Sequence, residues 1–312
     1  MTAAHANGLG RYRRIEGEVA HSLEGLVLGT AGLGGLWGSI NPSASVDAIL
    51  YALEQGLTAL DTAPAYSRAE SLVGQALRQW TGQRPTISTK VGRLRSDQPD
   101  VAHYDYTPES IRQSAYRSLE TLGVDYLDLL LLHDPEAIPA AMIPEAIATL
   151  VKLREEGVTR SLGVGGNFPA HFRPYLTADV FRVSMGFNRL NAVCRVALAH
   201  ELPFLQSRSI AFWQASPLYM GLLSDKLDTL LKSPPAWIDP THLEAAQHIR
   251  TYADPLGLTL PEVALRYLRS VVGPEKIVIG AANRAEIQNS LKSWKKGSLP
   301  EPIFSTLQQM NL

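Results

Sequence analysis

Four side chains with complementary acid and base chemistry lie at or near the ends of short apolar runs in the first half of the chain. Asp61 ends the run TALD and Lys90 ends ISTK. His133 follows LLLL, and Tyr66 comes shortly after Asp61 in the stretch DTAPAY. A tyrosine hydroxyl has an ordinary pKa of about 10, so alone it is a poor acid or base at neutral pH. A nearby lysine ammonium favours the phenolate, and we expect it to lower that pKa by about 1–3 units.

Asp61 and His133 complete this set as an acid–base centre. Asp61 can hold the Lys90 ammonium as an ion pair, and His133 can hydrogen-bond to a substrate oxygen. Such a centre moves a proton to or from an oxygen atom, as carbonyl reduction and alcohol oxidation require. Taken alone, each residue has a structural alternative as a helix cap, a solvated surface group or a buried strand-end residue. Their placement after successive apolar runs favours the catalytic interpretation.

Short apolar runs alternate with longer amphipathic stretches through most of the chain. Strands are predicted at residues 26–29, 58–61, 86–89, 126–132, 161–165, 182–187, 210–215 and 276–279. Helices are predicted at residues 44–55, 69–80, 108–122, 144–156, 169–176, 241–252, 261–271 and 284–294, with one more from residue 193 that stops before Pro203. This repeat predicts a single-domain α/β protein, a (β/α)8 TIM barrel. A doubly wound open sheet is the alternative, but no linker divides the chain into halves.

The barrel prediction brings the four residues together. The carboxyl ends of the strands form the active face of such a barrel. Because adjacent strands lie about 4.8 Å apart, groups at the ends of the second, third and fourth strands converge. Locally, Ser43 is predicted to cap the first helix, Thr107 to cap the helix at 108–122, and the residues after Trp294 to form a C-terminal loop.

Composition narrows the class of protein. The 312 residues carry 29 basic and 30 acidic side chains, so no general attraction to nucleic acid or anionic membranes is expected. No apolar stretch reaches the length of a membrane span, and residues 1–22 are predicted to be a tail ahead of a barrel at 23–312. Cys194 is the single cysteine, and the histidines lack metal-binding spacing. These features are typical of a cytoplasmic monomer or homodimer that binds a small-molecule substrate and no metal.

Several longer stretches resemble the aldo-keto reductase superfamily, from about residue 26 to residue 294. They are DTAPAYSRAESLVGQAL, ISTKVG, DYLDLLLLHDP, ASPLYMGLL and VIGAANRAEI. The catalytic Asp, Tyr, Lys and His of that family match, in order and context, Asp61, Tyr66, Lys90 and His133. The stretches HDP and ASPLYMGLL are most similar to the branch of bacterial aldose 1-dehydrogenases for D-threo-aldoses, L-fucose and L-galactose. Pyridoxal-oxidising relatives are also similar.

The resemblance implies hydride transfer between the nicotinamide of NAD or NADP and a substrate carbon. Tyr66 would be the acid in reduction and, as phenolate, the base in oxidation. The family binds its dinucleotide across the barrel top without a Rossmann motif, and this chain lacks G-x-G-x-x-G. The positions that match cofactor contacts are Asn167, Ser184, Ser216, Leu218, Gly221, Leu222, Gly280, Ala282, Arg284, Glu286 and Asn289. The positions that match substrate contacts are Trp37, Tyr66 and His133, and Ala215 replaces an aromatic residue that often stacks on the nicotinamide.

The choice between NAD and NADP rests on the last strand–helix unit. Members that use NADP often place Lys and Arg around the adenosine 2′-phosphate, where this chain has Gly280 and Glu286. A carboxylate accepts hydrogen bonds from a ribose hydroxyl but repels a phosphate, so NAD is the predicted cofactor, with NADP possible through Arg284. Residues 280–284 fit a phosphate-binding helix N-terminus, and the alternative is a glycine turn with Asn283 as the helix cap.

The resemblance therefore predicts an NAD-preferring aldose 1-dehydrogenase that acts on a sugar lactol or another neutral alcohol. Within the superfamily, an aldehyde or ketone reductase and a pyridoxal-type dehydrogenase are the alternatives. Two further alternatives come from other classes. One is a Schiff-base aldolase with Lys90 as its nucleophile, and the other is a non-catalytic regulator that binds the cofactor.

Overall fold

Eight parallel strands close into a barrel in sequence order, which confirms the predicted (β/α)8 TIM barrel. The structure is a computed structural model that describes residues 22–96 and 101–310, so nearly all of the predicted tail lies outside it. The strands are β1 (Leu26–Gly29), β2 (Ala59–Asp61), β3 (Thr86–Val91), β4 (Leu129–His133), β5 (Leu162–Gly165), β6 (Val183–Phe187), β7 (Ala211–Ala215) and β8 (Pro274–Gly280). No helix within the described ranges is long and apolar enough to cross a bilayer.

Helices and short 3-10 turns connect the strands. The α-helices are α1 (Pro42–Glu54), α2 (Ala69–Gln79), α3 (Pro108–Leu122), α4 (Ile143–Glu155), α5 (Val196–Ala199), α6 (Glu201–Gln206), α7 (Leu227–Lys232), α8 (Pro240–Ala253), α9 (Leu260–Ser270), α10 (Arg284–Lys295) and α11 (Glu301–Gln309). The 3-10 helices are Ala140–Met142, Ala170–Tyr175, Tyr219–Gly221 and Asp254–Leu256.

Two apolar cores hold the barrel together. The inner core fills the barrel and consists of Val27, Ala59, Leu129, Leu131, Val183, Met185, Trp213 and Val278. A larger outer core lies between the strands and the helices. Because side chains alternate along a strand, every second strand residue faces the inner core and the others face the outer core. This alternation decides which residues reach the barrel mouth.

The helix caps follow local side-chain chemistry. Thr107 caps α3 as predicted, since its hydroxyl accepts the Ser110 N–H at 3.4 Å. The prediction that Ser43 caps α1 is wrong. Asn41 is the cap, because its side-chain oxygen accepts the N–H groups of Ser43 at 3.1 Å and Ala44 at 3.3 Å. Pro42 then occupies the first helical position, which lacks a hydrogen-bond partner for an N–H in any case.

Two predicted segments differ from the structure. The helix expected from residue 193 is replaced by α5 and α6, and Pro203 lies inside the first turn of α6, where its missing N–H costs nothing. The Asn191 side chain accepts the N–H of Val193 at 3.0 Å, which forms a turn where the helix was predicted to begin. The predicted C-terminal loop contains α11, whose last turn is bound by the Arg195 guanidinium through the Gln308 carbonyl at 2.8 Å.

Candidate active site

The last inward-facing residue of each strand forms a ring at the carboxyl end of the barrel. In strand order this ring consists of Gly29, Asp61, Lys90, His133, Gly165, Phe187, Ala215 and Gly280. Strand register supports the assignment, since Gly29 pairs with both Asp61 and Gly280, and His133 pairs with Gly165. The ring therefore has a polar half on β2, β3 and β4 and a half of mostly small residues on the other strands.

Lys90 and Asp61 form a buried ion pair in the polar half. Lys90 Nζ lies 2.7 Å from each Asp61 carboxylate oxygen and 2.8 Å from the Thr62 carbonyl oxygen. Asp61 also accepts a hydrogen bond of 2.7 Å from the Ser88 hydroxyl. Both charged side chains are almost fully shielded from solvent. Three acceptors around one ammonium fix the cation in place.

Tyr66 lies in the loop between β2 and α2, close to the loop that follows β1. A Cβ atom on Gly34 would lie 2.4 Å from the Tyr66 carbonyl oxygen, so a glycine is needed for this approach. The Tyr66 ring meets the His133 ring edge-on at 5.7 Å between ring centres. Lys90 Nζ lies 4.7 Å from the centre of the Tyr66 ring. The structure thus brings the four predicted catalytic residues together.

Burial and charge act on these groups in opposite directions. Burial raises the pKa of the Tyr66 phenol, and the Lys90 ammonium only partly offsets this, so the net direction is upward. The lowering predicted from the sequence omits desolvation, which favours the uncharged phenol. Burial alone would lower the pKa of Lys90. The Asp61 carboxylate and Tyr66 together raise this pKa by more than burial lowers it, so the net direction is upward. Tyr66 is therefore a protonated acid beside a fixed cation at neutral pH.

His133 is held as a neutral imidazole. Burial, together with the nearby charges of Lys90 and Arg93, lowers the pKa of His133 well below its ordinary value. The backbone of this residue is also fixed, because the Tyr106 hydroxyl lies 2.8 Å from the His133 carbonyl oxygen. A neutral imidazole carries one N–H group and can donate a hydrogen bond to a substrate oxygen.

The residues predicted to bind the nicotinamide lie on β5 and β6. The Asn167 amide follows β5, and its two polar atoms pair with the backbone of Phe187, at 3.0 Å to the N–H and 3.1 Å to the carbonyl oxygen. Ser184 lies on β6 opposite Phe212, a residue of the outer core, so its side chain faces away from the barrel interior. The alternation places Phe187, not Ser184, on the inward side of this strand, and Phe187 stands beside Ala215.

The loop after β7 carries four of the predicted cofactor residues. Ser216 adopts a left-handed backbone with φ of 62°, and its hydroxyl accepts the Met220 N–H at 3.1 Å. Leu218 and Gly221 are half-buried, whereas Leu222 is fully buried in the outer core. Ser216, Leu218 and Gly221 are thus the members of this set that line the loop surface.

The start of α10 carries the remaining predicted cofactor residues. Asn283 is the helix cap, since its side-chain oxygen accepts the Glu286 N–H at 3.0 Å. The Glu286 carboxylate in turn accepts the Ala282 N–H and the Asn283 amide N–H, each at 2.9 Å. Arg284 lies over the Tyr51 ring at 4.2 Å, and Asn289 is exposed. The Glu286 carboxylate thus occupies the Ala282 N–H, one of the groups that were predicted to face phosphate.

The predicted substrate residue Trp37 lies on the β1 and β8 side of the mouth. A Cβ atom on Gly280 would lie 3.2 Å from the Trp37 ring, so the indole packs over this glycine. The Trp37 side chain remains 51% exposed. In strand order this position is distant from His133 on β4, so the indole borders the side with small residues.

Three residues beside His133 were not identified from the sequence. The Asp134 carboxylate lies 3.7 Å from His133 Nε2, and it accepts hydrogen bonds from Arg93 at 3.1 Å and from the Tyr104 hydroxyl at 3.0 Å. The HDP stretch carried a usable signal, because a carboxylate next to a catalytic histidine reaches the same mouth. No comparable signal in the sequence indicated Arg93 and Tyr104, because these two residues meet only through an isolated β-bridge between two segments of the loop after β3. Among the described residues, no group of three potential metal ligands is present.

Comparisons with known proteins agree with this geometry. The sequence model of the Aldo/keto reductase family matches residues 25–312. L-galactose dehydrogenase of Arabidopsis thaliana is 26% identical over 292 residues, which cover 89% of this chain and 86% of that protein. D-arabinose 1-dehydrogenase of Saccharomyces cerevisiae is 29% identical over 264 residues, covering 80% and 76% of the two chains. The structure of glycerol dehydrogenase from Gluconobacter oxydans superposes with a TM-score of 0.75 at 26% identity, over 95% of this chain and 93% of that one.

Proposed function

The chain belongs to the aldo/keto reductase family, and on that premise we propose that it is an NAD-preferring aldose 1-dehydrogenase. It is an oxidoreductase that acts on alcohol or aldehyde groups with a nicotinamide cofactor. The proposal adds the substrate, a neutral sugar in its lactol form, and the choice of NAD over NADP. We place the enzyme in the cytoplasm, as a monomer or homodimer.

One observation carries the proposal: a phenol, a fixed ammonium and a neutral imidazole meet at the mouth of the barrel. Lys90 Nζ lies 4.7 Å from the Tyr66 ring centre, and the His133 ring lies 5.7 Å from the same centre. The raised pKa of Tyr66 keeps the phenol protonated at neutral pH, and this is the form that gives a proton to a carbonyl oxygen.

The side of the ring with small residues fits a dinucleotide. A Cβ atom on Gly165 would lie 3.5 Å from Lys90 Cδ, so glycine leaves space directly beside the catalytic lysine. Ala215 continues the row of small residues on the β7 side of the mouth, whereas Gly280 is covered by the Trp37 indole. Asn167 and Phe187 border it on the β5 and β6 side and would hold the nicotinamide end. The bound cofactor supplies or accepts the hydride.

The residues of the polar half move the proton. In oxidation, Tyr66 as phenolate takes the proton from the substrate hydroxyl, and in reduction the Tyr66 phenol returns it to the carbonyl oxygen. The Lys90 ammonium stabilises the phenolate by charge, and Asp61 keeps that ammonium in position. The neutral His133 imidazole donates a hydrogen bond that orients the same substrate oxygen.

The acidic start of α10 and the names of the relatives support the finer parts of the proposal. The Glu286 carboxylate is anchored by the Ala282 N–H, so a fixed negative charge stands where a 2′-phosphate would approach. Arg284, the cation nearest to this carboxylate in the sequence, packs its guanidinium on the Tyr51 ring of α1. Two of the relatives are, by name, sugar dehydrogenases for L-galactose and D-arabinose.

The Schiff-base alternative conflicts with the environment of Lys90. An amine must lose its proton to attack a carbonyl group. Lys90 Nζ donates to both Asp61 oxygens and to the Thr62 carbonyl, and its pKa is raised. The amine is therefore protonated and already bound at neutral pH.

A substrate panel tests the proposal. Purified enzyme is given L-galactose, D-arabinose, L-fucose, glycerol and pyridoxal, each with NAD and with NADP, and the absorbance of the reduced nicotinamide is followed. We expect an aldose with NAD to give the highest kcat/KM. Faster turnover of glycerol or pyridoxal, or a higher kcat/KM with NADP, would overturn the corresponding part of the proposal. Dinucleotide binding without turnover of any alcohol or aldehyde would indicate the regulator alternative.

A further inference from the structure

Within the described residues, hydrogen bonds anchor the Asp134 carboxylate through one of its two oxygens. Its Oδ2 atom accepts hydrogen bonds from Arg93 Nη1 at 3.1 Å and from the Tyr104 hydroxyl at 3.0 Å. Its Oδ1 atom lies 3.7 Å from His133 Nε2, which is beyond hydrogen-bond length, and no group of the described residues donates to it. One acceptor oxygen is thus held beside the imidazole with no donor from the part of the chain that the structure describes.

The backbone of Asp134 is held in a conformation that residues with a side chain seldom adopt. Its φ is +49°, in the left-handed region. Three contacts fix this turn: the Asp134 N–H donates to the Gly165 carbonyl at 2.7 Å, and the Asp134 carbonyl accepts from the Tyr106 hydroxyl and the Ala137 N–H, each at 2.8 Å. An unfavourable backbone held by several bonds indicates that the position of this side chain matters.

Asp134 Oδ1 lies beside the imidazole that is proposed to bind the reacting oxygen. The Asp134 side chain is 17% exposed, so it is not closed off from solvent. His133 binds the reacting oxygen in the proposed function, and Asp134 Oδ1 stands on the Nε2 side of that imidazole. A carboxylate oxygen only accepts hydrogen bonds, so its partner must be a donor such as a hydroxyl group.

We propose that Asp134 Oδ1 accepts a hydrogen bond from the substrate hydroxyl next to the reacting carbon, and so selects 2-hydroxy carbonyl compounds and the corresponding polyols over simple aldehydes and alcohols. This rests on the proposed oxidoreductase function and specifies what its substrates share. A site that hydrogen-bonds a substrate hydroxyl discriminates strongly against the analogue that lacks it, because the site group is then left without a partner.

The test compares two aldehydes that differ by one hydroxyl group, 2-hydroxypropanal and propanal, as substrates for reduction. We expect the parent enzyme to favour 2-hydroxypropanal in kcat/KM by about tenfold to a hundredfold, as hydrogen bonds to charged groups typically provide. In Asp134→Asn, Arg93 and Tyr104 keep the amide oxygen at the anchored position, which turns the NH₂ group toward the substrate. The substrate hydroxyl can still accept from this neutral amide, so only the charge-assisted part of the bond is lost. The preference should therefore fall by about fivefold to tenfold relative to the parent, with a much smaller change in the rate on propanal.

The asparagine substitution also suits the backbone, since Asn tolerates the left-handed region. Glu145→Gln is the matched control: it removes an exposed carboxylate from the first turn of α4, the helix that follows the same loop, and should keep the preference for 2-hydroxypropanal. The dissociation constant for the dinucleotide, measured by fluorescence, should be the same in all three proteins.

Three results would overturn the inference. The first is a parent enzyme that reduces both aldehydes equally well, which would leave the oxidoreductase function standing. The second is an Asp134→Asn variant that keeps the preference. The third is an equal loss on both aldehydes in that variant, which would make Asp134 a positioning residue for His133. A parent enzyme inactive on both aldehydes and on every sugar of the panel would instead overturn the proposed function itself, and the inference with it.

Discussion

Strands β2, β3 and β4 end at the barrel mouth in Asp61, Lys90 and His133, whereas four of the other five strands end there in glycine or alanine. All three side chains of the first group are buried, and hydrogen bonds of 2.7–2.8 Å tie Asp61 and Lys90 in place. The second group leaves space, and its one large member is Phe187, with a side chain that is 42% exposed. Proton transfer requires groups that are fixed in place. A large cofactor requires open space, which small side chains leave.

The polar half is costly to build, and this explains its dense bonding. A buried ion pair loses hydration on both partners, and its attraction offsets that loss only when the remaining polar atoms are satisfied. Ser88 and the Thr62 carbonyl supply those contacts to Asp61 and Lys90. The half with small residues needs no such compensation, because glycine buries no polar side chain.

The largest expected effect comes from removing the acid of the polar half while keeping its shape. Tyr66→Phe retains the ring beside His133 and Lys90 and deletes the hydroxyl, so kcat should fall by about 10²–10⁴-fold. The dissociation constant for the dinucleotide should stay the same, because the proposed cofactor site lies on the opposite half. Steady-state kinetics and cofactor titration by fluorescence measure the two effects separately.

Tyr126→Phe is the matched control, since Tyr126 precedes β4 at the far end of the barrel, where it packs between Arg84 and Arg160. Its turnover should equal that of the parent. If Tyr66→Phe kept its turnover, the phenol would not transfer the proton. If the variant lost the cofactor as well, the separation of the two halves would fail.

The polar half could be predicted from the sequence because its signals are local. An apolar run identifies a strand, the residue at its end reaches the active face, and three such ends in succession gave Asp61, Lys90 and His133. Helix α3 could be predicted in the same way, because Thr107 caps its start and Gly123 ends it in a left-handed conformation. In both cases the residues that decide the structure are neighbours in the chain.

Two kinds of feature could not be predicted from the sequence: which strand residues face the barrel mouth, and how far burial shifts a pKa. Ser184 and Phe187 lie three residues apart on β6, and only the register with β7 shows which of them faces the mouth. The upward shift in the pKa of Tyr66 needs the extent of burial, which no spacing reveals. The contacts that anchor Asp134 could not be predicted either, because Arg93 and Tyr104 come from another loop.

The pH dependence of the two reaction directions is the next way to examine the polar half. The pKa of Tyr66 is raised, so the phenol predominates at neutral pH and the phenolate becomes more abundant as pH rises. The oxidation rate should therefore rise about tenfold per pH unit through the neutral range, while the reduction rate stays level and falls only in alkali. Measuring kcat for both directions between about pH 6 and pH 10 checks this.

The low pKa of His133 keeps it neutral throughout that range, so its titration should add no second inflection near pH 6.5. An oxidation rate that is flat with pH would contradict Tyr66 as the base. A bell-shaped profile with an acidic limb near the ordinary histidine pKa would contradict the neutral His133.

Phe187 is the exception in the half with small residues, and its removal sharpens the comparison. We expect its ring to stack on the nicotinamide, since it lies beside Ala215 and borders Asn167. Phe187→Ala should raise the dissociation constant for the dinucleotide by about tenfold, the size of one aromatic contact. At saturating cofactor, kcat should change far less, because the polar half is untouched.

Val272→Ala is the control for losing an exposed apolar side chain, since Val272 is 40% exposed and lies just before β8 at the opposite end of the barrel. Equilibrium titration of both variants with NAD gives the comparison. An unchanged dissociation constant in Phe187→Ala would show that this half binds by space alone.

The smallest effect is expected at the far edge of the same half, where Glu286 faces the adenosine end of the proposed site. Glu286→Gln removes the negative charge and keeps an oxygen to accept the Ala282 N–H, so the cap of α10 survives. One charge at a few ångströms in a solvated site contributes about 1 kcal/mol. The KM for NADP should therefore fall by about fivefold, with kcat unchanged and a smaller change for NAD.

The matched control is Glu301→Gln, which alters a first-turn acid of α11 and should change neither KM. If the ratio of the two KM values were the same in Glu286→Gln and the parent, the choice of cofactor would lie elsewhere, and the half with small residues would discriminate by shape without any contribution from charge.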